Sequence, residues 1–181
     1  MNPIINAMLE RRSIRRYSPE MLSKEVIDEI IRAGIYAPSG MGQQATIILA
    51  VTNRELRDRL AEMNRKIGVE VYNFPWKEGH DPFFGAPVVL IVLGNRVRHT
   101  YVYDGSLVMG NMLLAAHALG LGGCWIHRAK EMFDSPEGKA ILASLGVEGD
   151  YEGIGCCIIG KIEGAVPKAA ARKEHRVFYA D

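Results

Sequence analysis

The sequence predicts an α+β or α/β sandwich built on a mainly antiparallel or mixed sheet. Helical and strand-like stretches interleave through all 181 residues without repeats, domain linkers or low-complexity tracts. Short apolar runs at residues 46–51, 86–93, 122–126 and 155–162 read as strands. Nearly every position from Leu107 to Leu119 is apolar or small, whichever helical face is inspected. A surface helix would carry a polar stripe every third or fourth residue, so this stretch is predicted to be a buried core or interface helix. A helix of some fifteen residues here would span about 22 Å at ~1.5 Å per residue, and falls short of the ~20 apolar residues that a bilayer crossing needs. With 48% hydrophobic and 24% charged residues, the composition is that of one globular domain over residues 1–181.

Each element has a local cause. Asn2-Pro3 suits a helix start, and Ile4, Ile5, Met8 and Leu9 supply its apolar stripe before the basic run Arg11-Arg12-Ser13-Ile14-Arg15-Arg16-Tyr17. Ser23 caps a second helix whose Val26, Ile27, Ile30 and Ile31 face inward and which ends near Tyr36. The proline and glycines of residues 37–44, APSGMGQQ, break periodic structure and predict a loop. After the strand at 46–51, Thr52 and Glu55 have the form of a capping box for a helix from about Asn53 to Lys66. Residues 67–85 show no period but hold Tyr72, Phe74, Trp76, Phe83 and Phe84, the pattern of either a lid or a poorly ordered loop. The central helix is expected to start at Asp104 or Ser106 and to end at Gly120, whose backbone can turn left-handed. Gly122–Ile126 then forms a short strand that delivers His127 and Arg128 to an edge of the core. Ser135-Pro136-Glu137 opens a last helix, and residues 155–162 form the final core strand. The tail from Glu163 is expected to be extended, and its Val177-Phe178-Tyr179 needs a surface to cover, such as a partner subunit.

A net charge of +1 gives no reason to expect nucleic acid or an anionic membrane as partner. The amino-terminal residues lack the charge, apolar run and cleavage site of a secretion signal, and three cysteines make a poor disulfide framework. A cytoplasmic location is the expectation. The four arginines around Ser13 match phosphate oxygens with guanidinium forks and a hydroxyl, or else form a solvated basic turn. The 37–44 loop either presents amides and a glutamine to a planar ligand or merely connects. Gly120-x-Gly122-Gly123 and Gly153-x-Gly155 both lead into strands, so neither is a dinucleotide fingerprint. The five histidines lack metal-ligand spacing, Cys124 reads as core and His117 as a hydrogen-bonded core residue. His127, at a strand end, is the better histidine for touching a ligand.

Taken in order, RRSIRRY at 11–17, APSGMGQQ at 37–44, GNMLLAAHALGLGGCWI at 110–126 and the basic tail PKAAARK resemble the nitroreductase family of FMN-dependent oxidoreductases. The resemblance implies an α+β fold with a mostly antiparallel sheet and a homodimer with FMN at the subunit interface, formed largely by the long buried helix. It implies that Arg11, Arg12, Ser13 and Arg15 bind the flavin phosphate and ribityl end, joined by Arg172 or Lys173. Pro38, Ser39, Gly40 and Gln43 would lie against the ring from the other subunit, and Ile126, His127 and Arg128 stand where the family places a backbone amide near flavin N5. The implied activity is ping-pong transfer from NADH or NADPH to a nitroaromatic, quinone or similar acceptor. Another flavin reaction (dehalogenation, flavin reduction, dehydrogenation) and a non-catalytic flavin-binding module are the alternatives. No dedicated acid–base pair is visible, and flavin chemistry requires none. The chain departs from the common pattern at Gly42, where Asn is frequent, at Ala45-Thr46, which replaces Pro-Trp, and at His127-Arg128, where smaller or acidic residues are common. These departures bear on substrate contacts.

Overall fold

The computed structural model describes residues 2–180. Among them the chain forms six α-helices: α1 (Pro3–Glu10), α2 (Lys24–Ile35), α3 (Arg54–Glu70), α4 (Tyr101–Ala118), α5 (Ala129–Asp134) and α6 (Pro136–Ser144). The strands β1 (Thr46–Val51), β2 (Val88–Asn95), β3 (Gly122–Ile126) and β4 (Tyr151–Gly160) make one antiparallel sheet in the order β1-β2-β4-β3. The fold is therefore α+β. Side chains alternate across the pleat. Val89, Ile91, Leu93, Cys156 and Ile158 pack on one face against Leu60 and Met63 of α3, Phe133 of α5 and Ile141 of α6. Val88, Leu90, Val92, Cys157 and Ile159 pack on the other against Ile27 and Ile30 of α2 and Met109 and Met112 of α4.

Several helix ends follow the residues expected. The side chains of Asn2, Ser23 and Ser135 accept from the amides of Ile4, Val26 and Gly138, and Gly120 closes α4 with φ 73°. Others differ. Asn53 rather than Thr52 caps α3, accepting from Leu56 N at 2.9 Å, because that pair has the cap-to-third-residue spacing. α3 continues to Glu70 and absorbs the start of the expected loop. The rest of that loop is held by Asp81, which accepts from the amides of Phe83 and Gly85 and pairs with Arg57, itself bonded to Ala86 O at 3.1 Å. α4 begins at Tyr101, so Asp104 and Ser106 lie inside it and cap nothing. β2 and β4 are shifted from the expected 86–93 and 155–162, since strands buried on both faces carry no alternation to mark their ends. α5 had no sequence expectation.

Of the two readings of the central helix, core or interface, one chain alone does not bury every face. The helix buries Val108, Met109, Met112, Leu113 and Ala116 against the sheet, while Tyr103, at 72% exposure, and Leu107 face outward. His117 is half-buried, and among the described residues its ring makes no hydrogen bond, unlike the core role expected. From Glu163 the tail carries no helix or strand and stays exposed. No helix among the described residues is long and apolar enough to cross a membrane.

Candidate functional site

The basic run leaves α1 and lies along the free edge of β3. Ile14 N donates to Gly123 O at 3.1 Å, and Ser13 forms a parallel bridge with Gly123. Glycine is required in that strand, because a Cβ on Gly122 would stand 2.9 Å from the Ile14 side chain. Ile14 and Tyr17 are buried as anchors, with the Tyr17 hydroxyl donating to Ile14 O at 2.7 Å. This leaves the polar members of the run on the rim. Burial pushes the Cys124 thiol above its usual pKa, against opposing pulls from Arg15, Ser13 and Arg11. Arg11, Ser13 and Arg15 are alternate members of the extended run that Ile14 and Ser13 pin to this edge of the sheet, beside a thiol too buried and too protonated to be a nucleophile. Arg12 folds back instead, donating to Leu9 O and Arg11 O at 2.7 Å. Among the described residues no carboxylate pairs with Arg11, Arg12 or Arg15. Unpaired cations beside a hydroxyl form a donor set that fits a phosphate.

The 37–44 loop is at the opposite edge, leading into β1. Ser39 Oγ accepts from Gln44 N at 2.9 Å, and Gly40 N donates to Asp104 Oδ1 at 3.0 Å. Gly40 lies so close to Thr100 that a Cβ would be 2.4 Å from its hydroxyl oxygen. Pro38 and Gln43 are exposed, and Pro38, Ser39, Thr46, Asp104 and Val108 help line a cavity of about 210 Å³. α4 measures the gap between the two groups. Gly40 touches its first turn, whereas Gly123 lies against Leu113 and Ala116, roughly 14–18 Å further along the helix axis at ~1.5 Å per residue. One chain does not bring its two candidate segments together.

At the end of β3, Ile126 is buried and His127 exposed, and its carbonyl accepts from Asn64 Nδ2 at 2.8 Å. Arg128 is only 8% exposed and has φ 76°, an uncommon backbone for a residue with a side chain. Its Nε and Nη2 donate to Asn64 Oδ1 at 3.1 and 2.8 Å, and its guanidinium lies 5.2 and 4.7 Å from the ring centres of Phe74 and Trp76. Burial lowers its pKa. Arg172 and Lys173 lie in the exposed tail, and no hydrogen bond ties them to the basic run among the described residues. Sequence reasoning missed Asn64 and read Asp104 only as a helix cap. Both are buried polar side chains whose partners are distant in the chain, so no local signal marks them.

The nitroreductase family model matches residues 8–161. The chain belongs to the nitroreductase family. The Bacteroides fragilis nitroreductase, solved with bound FMN, is 28% identical and superposes with a TM-score of 0.90, the alignment covering 100% of both chains. Among relatives by sequence, a Vibrio harveyi NADPH-flavin oxidoreductase is 28% identical over 161 residues, 80% of this chain and 65% of its own. A Methanothermobacter thermautotrophicus protein is 32% identical over 126 residues, 67% of this chain and 59% of its own. The match thus spans about three fifths of those relatives' length.

Proposed function

We propose that this member of the nitroreductase family is an FMN-dependent oxidoreductase that passes electrons from NAD(P)H to a nitroaromatic, quinone or similar small acceptor, the two visiting the site in turn. The observation that carries this reading is the edge of β3, where the run holding Arg11, Ser13 and Arg15 is pinned beside Gly123 and, among the described residues, no carboxylate pairs with its Arg11 or Arg15. Bound FMN would supply the hydride and electron chemistry itself. The protein's share is to bind and orient. In this reading Arg11, Arg12, Ser13 and Arg15 hold the phosphate and ribityl end, and Arg15 stabilises negative charge nearby by simple attraction. Ile126, His127 and Arg128 contribute backbone at the end of β3.

The remaining candidates require a second copy of the single domain. Pro38, Ser39, Gly40 and Gln43 are at the far edge of the sheet, and Arg172 and Lys173 are on the exposed tail, which beyond Glu163 makes no hydrogen bond to the rest of the chain among the described residues. A homodimer formed through α4 supplies both sets, and the exposed Val102, Tyr103 and Leu107 of α4 and Ile4, Ile5 and Met8 of α1 offer an apolar face to build it. The B. fragilis nitroreductase with bound FMN and the V. harveyi NADPH-flavin oxidoreductase support the cofactor and the donor class.

The test is flavin retention. Replacing Arg11 and Arg15 by Ala together removes two charge-assisted contacts, each worth about 1.5–3 kcal/mol, so gel-filtered protein should lose its visible flavin bands. Full occupancy in the double variant would refute the assignment. Steady NADH or NADPH oxidation with an added quinone separates the enzyme from a flavin-binding module, and an acceptor panel separates it from other flavin reactions.

A further inference from the structure

A run of aromatic rings lines the side of the molecule on which the basic run and the end of β3 both lie. Tyr72, Phe74, Trp76, His80 and Phe84 follow one another with ring centres 6.0, 4.8, 4.5 and 6.4 Å apart. A cation sits at each of two places along it. The Arg15 guanidinium is 6.0 Å from the Phe84 ring centre, and that of Arg128 lies over Phe74 and Trp76. The ladder therefore spans from the proposed phosphate end of the site to its β3 end.

Arg128 is what ties the ladder to the sheet. It follows His127 directly, in a left-handed conformation that turns its side chain inward to Asn64, while Asn64 also holds the His127 carbonyl. Asn64 is on α3, one turn before Gly68, and a Cβ on Gly68 would meet the Trp76 ring at 2.5 Å. The Trp76 ring thus rests on bare helix backbone on one side and receives the guanidinium at its face. Tyr72 closes the far end with a hydrogen bond to Glu131 on α5, at 2.5 Å. A buried guanidinium with no carboxylate partner among the described residues is costly unless its charge meets π faces and its donors meet oxygen. Arg128 meets both conditions only while Phe74 and Trp76 stay in place.

We infer that Arg128 is a specificity-determining positioning residue: through Asn64 and the rings of Phe74 and Trp76 it holds an aromatic wall beside His127 that limits how large a planar aromatic acceptor can reach the site. The inference rests on the oxidoreductase reading for the acceptor, and on geometry alone for the wall. A hydrophobic pocket discriminates by size about 10- to 200-fold per small group, so a wall of this kind selects without doing chemistry.

The experiment uses full-length FMN-loaded protein carrying Trp125→Phe, so that Trp76 is the sole indole. Arg128→Gly keeps the left-handed turn accessible and deletes the latch, whereas Arg128→Lys keeps charge but cannot grip Asn64 with a fork. Gly68→Ala displaces Trp76 while leaving Arg128 and Asn64 unchanged, and covers the case in which the Arg128 variants do not fold. In Arg128→Gly, Trp76 emission should shift to the red and acrylamide quenching approach that of an exposed indole. The ratio of kcat/KM for phenanthrenequinone to that for p-benzoquinone should rise about tenfold, a ratio in which flavin loading cancels. Arg128→Lys should fall between, and Gly68→Ala should shift the same ratio. Unchanged quenching overturns the latch. Raised quenching with an unchanged ratio overturns the selectivity. If the unsubstituted protein oxidises NAD(P)H with neither quinone, the oxidoreductase reading fails instead, and the acceptor claim with it.

Discussion

Asp104 is only 4% exposed, and it spends its two carboxylate oxygens on Gly40 N and the Thr100 hydroxyl, each at 3.0 Å. Its position in the first turn of α4 also suits a negative charge. Asp104→Ala would leave the Gly40 amide without its partner, at a cost of about 1–3 kcal/mol. A purely structural Asp104 and a loop-positioning one make different predictions. The thermal midpoint should fall in either case, but the extra stability conferred by excess FMN follows the ligand's affinity. If the carboxylate sets the 38–43 loop against the cofactor, that increment shrinks in Asp104→Ala; an unchanged increment confines Asp104 to the fold. The sequence showed Asp104 only as a helix cap, because its partner Gly40 lies in a separate loop. Arg128 was named as a candidate at the end of β3, but its inward turn was hidden for another reason. Left-handed backbone is announced by Gly or Asn, and an arginine held there by Asn64 and two rings gives no such sign.

At the scale of elements, the ends of β2 and β4 and the short helix α5 are joined by one charge network. Arg96 donates to Asp134 at 2.5 Å, Glu152 at 2.9 Å and Asp150 at 3.0 Å, and Lys130 reaches Asp134 at 2.6 Å and Glu152 at 3.1 Å. Burial raises the Asp134 and Glu152 carboxyls, but hydrogen bonds from Lys130 and Arg96 outweigh it and leave both below the usual carboxylate range. Carboxylates lowered in this way stabilise the fold above their unfolded pKa of about 4, and that stability is lost as pH falls through the folded value. Arg96→Met should therefore cost about 1–3 kcal/mol at neutral pH and flatten the loss of stability on acidification. Urea midpoints between about pH 3 and pH 7 check this; parallel curves for the two proteins would refute it. The same region shows what local signals could reach. β1, β3 and α6 were legible because polar, glycine or capping residues bound them: Gln43-Gln44 and Thr52-Asn53 around β1, Gly120 and His127-Arg128 around β3, Ser135-Pro136 before α6. α5 was not, since it has six residues, no side-chain cap and an arginine at its start. The early part of β4 is Tyr151-Glu152-Gly153, which joins the sheet through pairing with β2 rather than by propensity.

For the whole molecule, each segment of the candidate site was legible as a motif, but not which edge of the sheet it would occupy. That depends on strand order. With β1 and β3 at opposite edges, the loop that enters β1 and the basic run that flanks β3 are separated by the width of the sheet. The apolar face of α4 then acquires a meaning that its composition alone did not carry: a helix with sheet on one side needs apolar residues on that side only. Gly110 lies on the outer face of α4, and a Cβ there would meet nothing within 4 Å. A single chain can thus accommodate Gly110→Glu at no more than the propensity-level change expected of an exposed helix position, under about 1 kcal/mol. A second copy packed on that face could not, because a carboxylate would be buried there without a partner. If the proposed homodimer packs on this face, the variant should run as a monomer by analytical ultracentrifugation, keep its far-ultraviolet circular dichroism, and lose FMN together with the dimer, since the proposed contacts are divided between the two edges of the sheet. Leu107→Asp should behave alike. A monomer that retains FMN at wild-type affinity would show that the basic run suffices and that the 37–44 loop has no part in binding; an intact dimer would move the interface away from α4.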